Sequence, residues 1–72
     1  QWREYEDSLN AQIKKNAAKG LKTFQLVISN KKYDIDLNKN TQTNLNTGYV
    51  HSISNKLEFM QYKWLWLNGT TD

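Results

Sequence analysis

Tyr33-Asp34-Ile35-Asp36-Leu37 alternates large apolar and acidic side chains. Successive strand residues point to opposite faces, so this period of two places Tyr33, Ile35 and Leu37 on one side and Asp34 and Asp36 on the other. A strand lying on a core is expected, with both carboxylates turned to solvent. Working backward, Phe24, Leu26 and Ile28 keep the same period between Lys22 and Ser29, and Asn30-Lys31 offers a turn before Lys32. Two such runs joined by a short polar turn predict a β-hairpin.

Upstream the period changes. Leu9, Ile13 and Ala17 recur at four-residue steps between Ser8 and Gly20, which predicts a short amphipathic helix with Ser8 as its N-cap and Gly20 as its stop. Lys14, Lys15 and Lys19 near its end suit the helix dipole. The apolar face is narrow, so the helix needs a sheet to lean on. Downstream, Asn38 to Thr47 is almost entirely polar and rich in Asn and Thr, which reads as an irregular connection closed by Gly48. Tyr49 to Ser54 alternates again. After Asn55 to Gln61, the segment Tyr62-Lys63-Trp64-Leu65-Trp66-Leu67 is the most strand-like in the chain, and Asn68-Gly69 predicts a turn. One helix with four or more strands gives an α+β domain, the helix covering one face of a strongly curved, mainly antiparallel sheet.

A chain of 72 residues supports one domain, 1–72, and too little core for two. It contains no cysteine, so neither a disulfide nor a cysteine-based zinc site stabilises it, and the Trp, Tyr and Phe rings must do so. No apolar run approaches the roughly 18 residues of a membrane span, and no stretch reads as a signal peptide. Opening on Gln1, the chain is expected to be a piece of a longer protein. The net charge of +3 is spread among acidic residues rather than gathered in a block, and mostly describes a solvated surface. A single histidine without a nucleophile beside it, and two aspartates on an outward face, make no acid, base or metal constellation. No catalytic residue, metal ligand or cofactor is expected.

Tyr33 to Leu37, followed by Gln42, Asn44 and Thr47-Gly48, resembles the second half of the WWE domain, in which a Tyr-led strand precedes a Gln and a Thr-Gly turn. That family opens with a Trp-x-Trp-type strand, a polar turn, and a Trp followed three residues later by a Tyr. Trp2 and Tyr5 match the later part. The opening strand is written at the other end, in Trp64-Leu65-Trp66-Leu67-Asn68-Gly69-Thr70-Thr71-Asp72, so that residues 62–67 would supply the family's first strand. Two explanations follow: a circular permutation with Asn55 to Gln61 joining the old ends, or a cut through a tandem array. Permutation is favoured because the ends join in register with nothing lost or duplicated. Exchange of the strand between two chains is a further alternative.

The resemblance implies a half-barrel fold and a binding module, not an enzyme. Its implied ligand is an ADP-ribose unit, typically the iso-ADP-ribose joint of poly(ADP-ribose), read on behalf of ubiquitin ligases or ADP-ribosyltransferases in the cytoplasm or nucleus. Neighbouring WWE, ligase or transferase domains are implied partners. A purine, hydroxylated sugars and anionic phosphates call for an aromatic face, a directional polar group and cationic or N–H donors. Trp66, Tyr33 and Gln42 match the family's ligand-facing positions, against the competing reading that the two rings pack the core and Gln42 ties the Asn-rich loop. Trp2 and Trp64 read as structural. His51 stands where the family usually has an arginine, and imidazole is mostly neutral at pH 7. That exchange removes roughly 1.5 to 3 kcal/mol of charged hydrogen bonding, which implies weak or pH-dependent binding. Lys14 replaces the family's helix glutamate, and Ala17 a common aromatic. A scaffold module with a decayed pocket, presenting Tyr62 and Phe59 to a protein partner, is the alternative. Single-stranded nucleic-acid binding is a weaker one, since no RNA motif is present. Asn68-Gly69-Thr70 fits a glycosylation sequon but reads as a turn.

Overall fold

The computed structural model describes residues 1–58 and 60–68. In chain order its elements are β1 (Trp2–Glu4), α1 (Asp7–Ala18), β2 (Thr23–Ile28), β3 (Lys31–Asp36), β4 (Thr41–Asn44), β5 (Val50–Glu58) and β6 (Gln61–Leu67). The strands form one sheet in the order β1-β6-β5-β4-β3-β2, with every neighbouring pair antiparallel. Its edges, β1 and β2, contribute residues to the same cavity. The sheet is therefore strongly curved but not closed, and the α+β half-barrel architecture is the one expected.

Of the four-residue series Leu9, Ile13 and Ala17, the first two are buried and pack with Tyr5, Leu26, Ile35, Ile53 and Trp64 in the core, whereas Ala17, at the end of the helix, is exposed. The helix ends as predicted. Gly20 takes φ +84, its N–H donates to Ala17 O at 3.0 Å, and the Leu21 N–H donates to Asn16 O at 3.1 Å. These two bonds satisfy carbonyls that the last helical turn leaves open. The start differs. Asp7 is the first helical residue and Glu6 holds the cap position without a side-chain hydrogen bond, so Ser8 lies inside the first turn and is not the N-cap. An acidic Asp7 beside the positive end of the dipole is favourable at that position without a cap.

The β2–β3 hairpin turns at Ser29-Asn30, one residue earlier than Asn30-Lys31. Ser29 and Asn30 have φ 51 and 66, the pair of positive values that a type I′ turn needs to match the strand twist. Tyr33 and Ile35 are buried, whereas Asp34 and Asp36 are half-buried on the opposite side of β3. Asp36 is occupied in the following turn, where its Oδ1 accepts the N–H groups of Asn38 and Lys39 at 2.9 and 3.0 Å. Leu37 lies beyond the end of β3 and packs against the core from the turn.

The polar segment Asn38 to Thr47 is not an irregular connection. It contains β4, paired with β3 and β5 on its two sides, so its backbone groups find ladder partners despite the polar sequence. Gln42 and Asn44 point inward from it and are buried. Asn44 then builds the turn into β5: its Oδ1 accepts the N–H groups of Asn46 and Thr47 at 2.8 and 3.2 Å, and its carbonyl accepts the Gly48 N–H at 2.7 Å. Likewise Asn55 to Gln61 is not a loose linker. β5 continues through it to Glu58, and β6 starts at Gln61, the pair forming one hairpin in the register Asn55↔Trp64 to Glu58↔Gln61.

β6 lies between β5 and β1 within a single chain. Where β1 runs out, the Tyr5 N–H still reaches Trp64 O at 3.4 Å, and the Trp64 N–H is taken by Asn10 Oδ1 of the helix at 2.9 Å. Helix, edge strand and β6 are thus tied at one point. Trp64 is in the core as expected, whereas Trp2 is 46% exposed and is not. The turn at Asn68-Gly69, the sequon through Thr70, the junction through Asp72 and the surface role of Phe59 lie outside the described residues.

Candidate functional site

The helix covers only part of the sheet's inner face. On β3 the inward residue under the helix is Ile35 and the next one out is Tyr33; on β5 the pair is Ile53 and His51; on β6 it is Trp64 and Trp66. The inner member of each pair belongs to the core, and the outer member lines a cavity of about 800 Å³. Gln42 lines it between them, and Arg3, Tyr5, Leu9, Ile28 and Lys31 complete its principal walls. Trp66, Tyr33, Gln42 and His51, the residues singled out in the sequence, are therefore brought together from separate strands.

Gln42 is held by a contact that no local pattern reveals. The Tyr5 hydroxyl donates to Gln42 Oε1 at 2.5 Å, across 37 residues of sequence. Burial pushes the Tyr5 phenol well above its ordinary pKa, because the anion would lose its hydration; the hydroxyl stays protonated and available as the donor. With its oxygen engaged by Tyr5, the amide of Gln42 offers its N–H groups as the remaining directional feature. Its orientation is set within the protein by that hydrogen bond.

His51 is directly opposite Gln42 on the neighbouring strand. Its Nδ1 lies 2.9 Å from Leu67 O, and since a carbonyl only accepts, Nδ1 carries the hydrogen. The imidazole also meets Trp66 edge to face, with ring centroids 5.5 Å apart and planes at 79°. A T-shaped pair of this kind is favoured by the ring quadrupoles. His51 thereby braces β5 against β6 and fixes the Trp66 indole in the cavity wall.

Sequence reasoning did not select Arg3, Tyr5 or Lys31 for the site. Tyr5 was visible only as part of a Trp-x-x-Tyr pattern. Arg3 enters because β1 pairs with β6 in the register Arg3↔Trp66, a fact of long-range pairing. Among the described residues no three histidine, aspartate or glutamate side chains converge on a common point, and no helix is long and apolar enough to cross a membrane.

A small α+β module with a preformed, half-open cavity of aromatic and amide groups is what the fold and the site define: a binding domain in architecture. The family model described as the WWE domain matches residues 1–54, well over half of the chain, and the chain belongs to the WWE domain family. WWE domains are protein-interaction modules, not catalysts. No curated protein and no solved structure matches it.

Proposed function

We propose that this domain is a non-catalytic reader of ADP-ribose units, with iso-ADP-ribose within poly(ADP-ribose) as its ligand, in ubiquitination or ADP-ribosylation signalling in the cytoplasm or nucleus. The observation that carries this reading is the convergence of Trp66, Tyr33, Gln42 and His51 on one cavity of about 800 Å³, within the range of small-ligand sites. Trp66 offers an aromatic face, Gln42 an oriented amide for a base edge or sugar, and Tyr33 a phenol at the wall. His51 lines the same wall while holding Trp66 in place. The partners are ADP-ribosylated proteins, with adjoining WWE, ligase or transferase domains as neighbours in a larger chain.

The same proposal gives β6 the place of the strand with which the family opens. In support, β6 lies outside the matched residues 1–54, pairs with β1 and β5 in its own chain, and carries Trp66 into the cavity. Calorimetric titration with iso-ADP-ribose, ADP-ribose and a short oligonucleotide tests the function. Saturable binding of iso-ADP-ribose, lost in Gln42→Ala, is the expected result, and no heat with the first two ligands overturns it.

A second reading has its own observation. The β5–β6 hairpin projects past β4, and Leu57 and Tyr62 stand directly opposite each other on it, 56% and 52% exposed. A protein-interaction role with an unused pocket would place the contact there, and Tyr62→Ala would then impair partner binding while leaving the cavity intact.

A further inference from the structure

Among the cavity's cationic side chains, one is placed by the sheet register itself. Arg3 sits directly across from Trp66 in the β1–β6 pair, and residues directly opposite in an antiparallel pair share a face. Arg3 thus shares the face of Trp66 and Tyr5, and its edge-strand neighbours Trp2 and Glu4 also contribute to the cavity lining. Trp66 is flanked by Arg3 on β1 and by the His51 ring on β5. Two carboxylates, Glu4 and Glu6, also line the cavity, but among the described residues neither forms an ion pair with Arg3. The Glu4 carboxylate is drawn to Lys63 Nζ at 3.2 Å. Arg3 is also exposed, so its guanidinium is hydrated and available at the open side of the cavity. Lys31, the other lining cation, is on the far rim, next to the turn between β2 and β3.

We infer that Arg3 is the residue that grips a phosphate of the ligand, and that it thereby selects phosphorylated ADP-ribose units over uncharged nucleosides. This rests on the ADP-ribose reading above and names a residue within it. The chemistry favours arginine in this position. A guanidinium is permanently charged and presents a planar fork of donors that matches two phosphate oxygens at once. It also tolerates stacking beside an indole, so a purine against Trp66 and a phosphate on Arg3 can be held side by side. Lys31 offers only a point charge on a flexible stem.

The test compares wild type, Arg3→Gln, Arg3→Lys and Lys31→Gln for binding of iso-ADP-ribose and of its phosphate-free core, ribosyl-adenosine, over a series of salt concentrations. Arg3→Gln is expected to weaken iso-ADP-ribose binding by about tenfold or more, the loss of a charge-assisted hydrogen-bond pair. It should leave the nucleoside unaffected and flatten the salt dependence, while Arg3→Lys recovers part of the affinity. Arg3 is exposed, so thermal melting of the variants should match wild type. If the nucleoside binds too weakly to measure, the salt dependence decides. Unchanged iso-ADP-ribose affinity and salt slope in Arg3→Gln overturn the assignment, as does a loss confined to Lys31→Gln, and an equal loss for both ligands reduces Arg3 to a structural role. In each of these cases wild type still binds and the ADP-ribose reading stands. Wild type that binds neither ligand overturns both.

Discussion

One hydrogen bond, from Tyr5 to Gln42, ties the stability of the fold to the proposed binding site. Gln42 is 4% exposed, and its side-chain oxygen accepts the Tyr5 hydroxyl. Removing that hydroxyl leaves a buried carbonyl oxygen unpaired, so Tyr5→Phe is expected to cost about 1 to 3 kcal/mol in urea or thermal unfolding, and also to weaken ligand binding by releasing the amide. The same residue predicts an alkaline signature. Its folded pKa is raised above its ordinary value of 10.0 by burial. Its contribution is therefore fully present below the unfolded value and lost as pH rises beyond it, because the unfolded chain gives up the proton first. Melting temperatures measured from pH 7 to above 10 should fall on the alkaline side in wild type, and less steeply in Tyr5→Phe. Equal slopes would show that Tyr5 ionisation is not linked to folding. Ile35, which has no exposed surface in the sheet centre, answers a different question: Ile35→Ala should cost about 2 to 5 kcal/mol through lost burial and an unfilled cavity, without any effect specific to pH.

At the scale of elements, the instructive segment is Asn38 to Thr47. Local composition points to a loop because Asn and Thr side chains compete for backbone partners. The segment becomes β4 because β3 and β5 flank it and complete its ladders. Asn44 shows both tendencies at once: it is an inward strand residue, 1% exposed, and its side chain also organises the next turn. Asn44→Ala should therefore destabilise the domain by about 1 to 3 kcal/mol, read as a lower urea midpoint with an unchanged m-value; a midpoint within error of wild type would contradict the role given to the turn. The period-two signals at Phe24 to Ile28 and Tyr33 to Ile35, and the four-residue period at Leu9 and Ile13, were legible because burial of one face repeats along the element. Element ends were less so. The helix start moved from Ser8 and the hairpin turn moved to Ser29-Asn30, since each is decided by a few backbone angles.

For the whole molecule, β6 is the decisive strand. It lies between β5 and β1, so it supplies β1 with its sheet partner, and it carries Trp64 into the core and Trp66 into the cavity. The family match, by contrast, stops at residue 54. A chain ending at Glu58 should lose cooperative thermal unfolding and near-UV aromatic signal, because the sheet is left without the strand that joins its edge and the core without a large buried ring. A truncated chain that still melts cooperatively would show that β6 is dispensable. The salt bridge between Lys63 and Glu4, exposed at both ends, contributes little to that cohesion.

What these 72 residues show by themselves is the helix, the β2–β3 hairpin and the last two strands, the α+β class, the WWE resemblance and, through that resemblance, Trp66, Tyr33, Gln42 and His51 as candidate site residues. The elements and the class follow from local period, whereas the four site residues follow from the resemblance alone, as positions the family turns to its ligand. Only the tertiary structure decided that Asn38 to Thr47 holds a strand, that Asn55 to Gln61 belongs to a hairpin, that Tyr5 orients Gln42, and that Arg3 faces Trp66. Each of these depends on pairing between segments far apart in the chain, and strand pairing satisfies backbone groups whatever the side chains are, so it leaves little trace in composition.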